Sequence, residues 1–165
     1  PHPNDGLLYL WDEEQLSWSR VMSHWDPSSP GAISKIMAVA NLTSEDTFMD
    51  IGCGDGRVLW AASQYTDRLI GIDVDAKLLA EAAEIVPQAQ LLLQDAASYN
   101  FDAPLTLYSY LDYATFCYVL LRVKASGQPI KILHQATPEA PSFPVQPDES
   151  HEVSGSWIYV WNTAA

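Results

Sequence analysis

Thr47-Phe48-Met49-Asp50-Ile51-Gly52-Cys53-Gly54-Asp55-Gly56-Arg57-Val58-Leu59-Trp60 is the stretch whose reading decides the fold. A five-residue apolar run of strand length breaks into three alternating glycines. It resumes with Val58, Leu59, Ala61 and Ala62 in helix-like spacing. Glycines at such a strand-to-helix turn let the backbone bend tightly and let a ligand approach where a side chain would block it. The helix that follows aims its free N–H groups at that ligand. The spacing is Gly-x-Gly-x-Gly with Asp50 just ahead of it, not the Gly-x-Gly-x-x-Gly of dinucleotide binders. An acid so close to the turn suits a cationic, hydroxyl-rich ligand better than a pyrophosphate.

Outward from this turn, strand-like and helix-like segments alternate. Strands are expected at 47–51, 68–72, 89–93, 105–109, 130–134 and 156–161, with helices at 57–65, 76–86 and about 113–124. Pro87 stops the second helix, and Gly127 with Pro129 bounds the third. Such alternation predicts an α/β protein with a Rossmann-like, doubly wound, mostly parallel sheet. Residues 136–148 carry Pro138, Pro141, Pro144 and Pro147, so a surface loop stands where another helix would fit. Beyond it, 151–161 reads as an antiparallel hairpin turning at Ser154-Gly155.

Upstream, 1–6 reads as a loose arm. Asp12, Glu13 and Glu14 followed by Leu16, Trp18, Val21, Met22 and Trp25 predict a leading helix that covers the sheet edge or meets a partner. Ser29 is the expected N-cap, and Pro30 the first residue, of a further helix ending near Asn41. The chain divides on this reading into an arm and helix at 1–27 and one ligand-binding domain at 28–165.

A chain of 165 residues with 48% apolar content suffices for one domain with a real core. No run approaches a membrane span. Two cysteines, Cys53 and Cys117, do not make a disulfide framework, which points to a reducing compartment such as the cytoplasm or an organelle matrix. The four histidines lack metal-ligand spacing, so no metal site is expected. A formal net charge of −13 repels phosphate backbones, so direct nucleic-acid binding is not expected. That charge either attracts a basic partner or simply keeps the protein soluble. The sequence starts at Pro1 rather than Met, so a segment ahead of it is expected to have been cleaved or left out, and no targeting signal is legible.

A second acid stands at the end of the apolar run Leu69-Ile70-Gly71-Ile72-Asp73, about twenty residues past the glycines, where a carboxylate receives ribose hydroxyls. One carboxylate accepts both the 2′ and 3′ hydroxyls, which selects an unphosphorylated adenosine. Asp75 is more simply the N-cap of the next helix.

The acidic residue followed by Gly-x-Gly-x-Gly resembles the first motif of class I S-adenosylmethionine-dependent methyltransferases. The resemblance implies that fold, S-adenosyl-L-methionine as cofactor, and a cofactor set of Asp50, Gly52, Gly54, Gly56, Asp73, Val74, Asp95 and Ala96. Within it Asp50 holds the glycine loop or receives the methionine ammonium. Asp95, after Leu91-Leu92-Leu93-Gln94, accepts from the adenine amino group while the next backbone N–H meets a ring nitrogen; the plain alternative for Asp95 is a cap. The fourth strand runs into Tyr110-Leu111-Asp112-Tyr113, where substrate meets the methyl group in this family. An amine attacks only with its lone pair free, so Asp112 with Tyr110 or Tyr113 is the expected catalytic group that accepts its hydrogen bonds and steers it. Otherwise Asp112 caps the next helix and the tyrosines fill the core.

More narrowly, 28–161 is similar to the ATP synthase c-subunit lysine methyltransferase group. The likeness rests on Ser28-Ser29-Pro30-Gly31, Asp50 through Val58, Gly71-Ile72-Asp73-Val74-Asp75, Thr106-Leu107-Tyr108 and Trp157-Ile158-Tyr159-Val160-Trp161. The departures, a missing proline after the fourth strand and a loop lacking the usual Trp, fall on the substrate side. The implied function is methyl transfer to a lysine or other amine of a basic partner. The alternatives are a catalytically silent subunit or assembly factor, and a small-molecule methyltransferase.

Overall fold

The computed structural model describes residues 9–12, 17–20, 30–136, 142–153 and 155–163. Its main body is a seven-stranded sheet. After a hairpin of β1 (Tyr9–Asp12) and β2 (Ser17–Arg20) come α1 (Pro30–Ala40), β3 (Thr47–Ile51), α2 (Arg57–Ala62), β4 (Arg68–Asp73), α3 (Ala76–Ile85) and β5 (Gln90–Leu93). A single 3₁₀ turn (Ala96–Ser98), β6 (Leu105–Ser109), α4 (Tyr113–Ser126), β7 (Ile130–Ala136), β8 (Glu149–Val153) and β9 (Ser156–Asn162) complete the chain. The sheet order is β5-β4-β3-β6-β7-β9-β8. β5, β4, β3, β6 and β7 run parallel, and β9 runs antiparallel between β7 and the edge strand β8. The doubly wound sheet and its C-terminal hairpin are as the sequence predicts.

Alternation along the strands divides the core between two faces. Phe48, Tyr108, Leu133, Ile158 and Val160 pack with α1 and α2, whereas Met49, Ile51, Leu107, Ile132 and Trp161 pack with α4. β3 and β6 are buried on both faces, which is why they read as unbroken apolar runs.

The leading segment departs from expectation. A helix does not span 12–25: Tyr9–Asp12 and Ser17–Arg20 are antiparallel strands, with Trp11 opposite Trp18. Spacing in an aromatic-rich stretch satisfies a hairpin as well as a helix, and cross-strand pairing decides between them. The N-cap assigned to Ser29 and the turn residue Ser154 lie outside the described residues. α2 stops at Ala62, short of the expected Tyr65, where the Gln64 and Tyr65 amides bond back three residues to Ala61 and Ala62. Thr66 then donates to the Asp46 carbonyl at 2.6 Å and directs the chain into β4.

Candidate functional site

The glycine loop is tied to β4 rather than standing free. The Gly52 and Cys53 amides donate to the Ile72 carbonyl at 2.6 and 3.0 Å, and the Gly54 amide donates to Asp73 Oδ2 at 2.9 Å. Gly54 and Gly56 are held at φ of 54° and 89°, the left-handed region that a side chain resists. At Gly56 a Cβ would also lie 2.9 Å from that of Ala82, so the start of α2 approaches α3 only because the side chain is absent.

Asp50, the penultimate residue of β3 and two ahead of Gly52, is 2% exposed. Among the described residues its Oδ1 is the one buried side-chain nitrogen or oxygen without a hydrogen-bond partner. Burial, then the charges of Asp73 and Asp55, hold its carboxyl well above the usual carboxylate range. Asp73, not Asp50, braces the loop through the Gly54 amide, and its other oxygen accepts the Asp75 amide at 2.9 Å. Burial raises the Asp73 carboxyl too, against the opposing pull of the Gly54 and Asp75 amides. A carboxylate has about four acceptor positions, more than the Gly54, Asp75 and Val74 amides fill, so capacity remains for a hydroxyl group. Asp55 is spent on Arg57, at 2.8 Å. Asp75 caps α3 by accepting from Lys77 and Leu78, as read from the sequence.

At the neighbouring strand end, Asp95 is exposed and caps the 3₁₀ turn through the Ala97 amide at 2.9 Å. Val74 and Leu93 are 62% and 63% exposed beside it, with Leu93 in register with Asp73. Two bare apolar side chains flanking two acids make a surface for a flat ring with polar edges. Sequence reasoning passed over Leu93. Its signal was three consecutive leucines in a strand, which cannot all face the core.

On the other side of the loop, Asp112 caps α4: its Oδ2 accepts from the Thr115 amide and hydroxyl at 3.0 and 2.9 Å. Tyr113 donates to the Ser142 carbonyl at 2.5 Å, and Tyr110 is half-buried against the α1-side core. Leu111 leans over the loop, its Cδ2 only 2.9 Å from where a Gly52 Cβ would stand.

A buried pair that the sequence did not single out supports this turn. Ser109 Oγ meets His134 Nδ1 at 3.0 Å and accepts the Leu111 amide at 3.3 Å. The His134 ring stacks on Phe116 at 3.7 Å and 7°. Burial pushes its pKa down to about 3 against the opposing pull of Ser109 and Asp112, so the ring is neutral.

A parallel sheet with a reversed penultimate position, a glycine turn after its central strand and acids at the next two strand ends defines a Rossmann-like α/β class, in which ligand crevices lie at the switch point of the sheet. Comparison with known proteins gives the class its name. Residues 48–129 match a family profile described as a methyltransferase domain. An RNA methyltransferase from Salinibacter ruber, solved with S-adenosyl-L-homocysteine, superposes with a TM-score of 0.67 at 18% identity, over 84% of this chain and 94% of that one. The N-methyltransferase NodS from Bradyrhizobium japonicum gives 0.66 at 10% identity, over 81% and 94%. The rRNA methyltransferase aviRa from Streptomyces viridochromogenes gives 0.63 at 14%, over 84% and 86%. Curated protein sequences yield no match. The chain has the class I S-adenosylmethionine-dependent methyltransferase fold.

The residues present fit that fold's cofactor. The unpartnered Asp50 oxygen is suited to an ammonium, and the remaining acceptor capacity of Asp73 to a ribose hydroxyl. Val74 and Leu93 are suited to the faces of a purine, and Asp95 with the Ala96 amide to its edge. No helix among the described residues is long and apolar enough to cross a membrane.

Proposed function

We propose that this chain binds S-adenosyl-L-methionine at the carboxyl ends of β3, β4 and β5 and methylates a lysine, or another amine, of a basic protein partner. The observation that carries the reading is Asp50, a buried acid with an orphaned oxygen at the end of β3, just ahead of the glycine loop. Such a group is costly unless a cation completes it. When bound, the cofactor supplies a sulfonium methyl to an uncharged amine. Asp73 holds both the glycine loop and the ribose, and Asp95 with Ala96 selects the base. Asp112, with Tyr113 and Tyr110, orients the incoming amine and accepts its hydrogen bonds. The amine acceptor is supported by the resemblance to the c-subunit lysine methyltransferase group and by the net charge of −13, which draws basic proteins and opposes phosphate backbones.

A second reading, a silent methyltransferase-fold subunit, is favoured by one observation: Oδ2 of Asp112 is already engaged in capping α4. Calorimetry with S-adenosylmethionine and S-adenosylhomocysteine tests the cofactor site, and radiolabelled methyl transfer into basic proteins tests turnover. Cofactor binding without transfer selects the silent subunit. Absence of binding removes the methyl-transfer reading and leaves the silent subunit.

A further inference from the structure

The carboxyl end of the sheet has a second half, over β7, β9 and β8, which the cofactor residues do not use. Because β9 is antiparallel, its first residues lie beside the last residues of β7: Trp157 pairs with Ala136, and Tyr159 with His134. Ile158 and Val160 face the α1-side core, so Trp157 and Tyr159 share the α4-side face. Both rings are half-buried, with centroids 6.4 Å apart and planes 21° apart. Phe143 from the Pro-rich loop packs edge-on beneath Tyr159 at 5.0 Å and 64°, and Tyr113 of α4 lies 5.9 Å from Phe143. The Tyr113 hydrogen bond to Ser142 fastens helix to loop at this border.

Acids frame the rings. Glu152 of β8 stands opposite Trp157, is exposed, and has no ion-pair partner among the described residues. Asp112 precedes Tyr113 and is also exposed. The cations of the neighbouring elements are directed elsewhere. Lys131, near the opposite end of β7, donates to the Val39 carbonyl at 2.6 Å; Arg122 bonds the Ala97 carbonyl; Lys124 is in the last turn of α4. Aromatic faces edged by carboxylates, with no competing cation alongside among the described residues, complement an alkylammonium side chain. Its methylenes lie on the rings, and its charge meets both the ring quadrupole and the acids.

We propose that Trp157 and Tyr159, with Glu152 on one side and Asp112–Tyr113 on the other, form the docking surface for a lysine-bearing segment of a partner protein. The inference rests on the amine-methyltransferase reading and deepens it, since it names the surface that delivers the lysine toward β6. Cationic recognition here is local: it belongs to these rings and Glu152, not to the acidic surface at large.

The test uses the full chain and a fluorescein-labelled decapeptide of alternating lysine and alanine, read by fluorescence anisotropy. Trp157→Ala is expected to weaken binding about 5–10-fold, the scale of a lost cation–π contact, and Trp157→Phe to retain most of it. Glu152→Gln is expected to lower affinity about 3-fold and flatten its salt dependence. Glu84→Gln, an exposed acid on α3, is expected to leave affinity unchanged. The proposal is overturned if the wild-type chain does not bind the peptide, if Glu84→Gln costs as much as Glu152→Gln, or if single-stranded RNA displaces the peptide. Should Trp157→Ala fail to fold, the Glu152 and Glu84 comparison decides. Calorimetry with S-adenosylhomocysteine runs alongside. Its failure on the wild-type chain removes the methyltransferase reading while the peptide result stands by itself.

Discussion

Asp73 Oδ2 accepts the Gly54 amide at 2.9 Å, so the acid ending β4 holds the middle of a loop nineteen residues upstream. The same carboxylate bonds the Asp75 amide on its other oxygen. A residue read from sequence as a ribose acceptor is also the brace that gives the glycine loop its shape.

Asp73→Ala should therefore impair S-adenosylhomocysteine binding by two routes, a lost ribose bond and a loosened loop. Hydrogen bonds to charged groups contribute about 1.5–3 kcal/mol each, so affinity should fall at least about tenfold. Calorimetry on a variant with wild-type circular dichroism is the measurement. Undiminished affinity would remove Asp73 from the site.

Asp50→Asn should trade affinity for stability. Removing a buried carboxyl whose charged form burial disfavours is expected to raise the stability of the ligand-free protein by about 1–3 kcal/mol at pH values where the wild-type group ionises. The pH dependence has a definite sign. The native carboxyl titrates above its ordinary 3.8, so the folded state holds the proton longer than the unfolded one. Stability contributed by this group is thus lost as pH rises through the raised value, whereas affinity for a cationic ligand grows over the same interval. Parallel melting and binding curves from pH 4 upward, for wild type and variant, should diverge in this sense, and identical slopes would refute it.

His134 imposes the opposite slope. Its native pKa of about 3 lies below the ordinary 6.5, so the unfolded state binds the proton first. Its contribution is complete above pH 6.5 and is lost as pH falls toward 3. His134→Phe keeps a ring against Phe116 but removes the titration, so urea midpoints of the variant should decline less on acidification. A decline as steep as in the wild type would show that His134 is not the sensitive group.

Asp112→Asn separates catalysis from capping, because Asn caps as well as Asp. Stability and cofactor affinity should stay close to wild type while labelled methyl transfer falls about 10²-fold, the scale for losing an orienting or basic group. Equal labelling by both proteins would leave Asp112 as a cap only.

What could be read without coordinates was local. The run into Gly52, Gly54 and Gly56, the apolar strands 47–51 and 105–109, the caps at Asp75 and Asp112, and the closing hairpin each follow from neighbours a few residues apart. Strand period, turn chemistry and capping act over that range. The leading segment misled for the same reason: helical spacing of Leu16, Trp18 and Val21 is a local cue, whereas the pairing of Trp11 with Trp18 crosses a hairpin. Only the tertiary structure put Ser109 against His134, twenty-five residues on, and laid Leu111 over Gly52. It alone left the Asp50 oxygen unpartnered and set Tyr159 beside His134. These relations depend on which strands lie side by side and on what burial removes from water. Residue type and spacing record neither, because both arise from contacts between segments far apart in the chain.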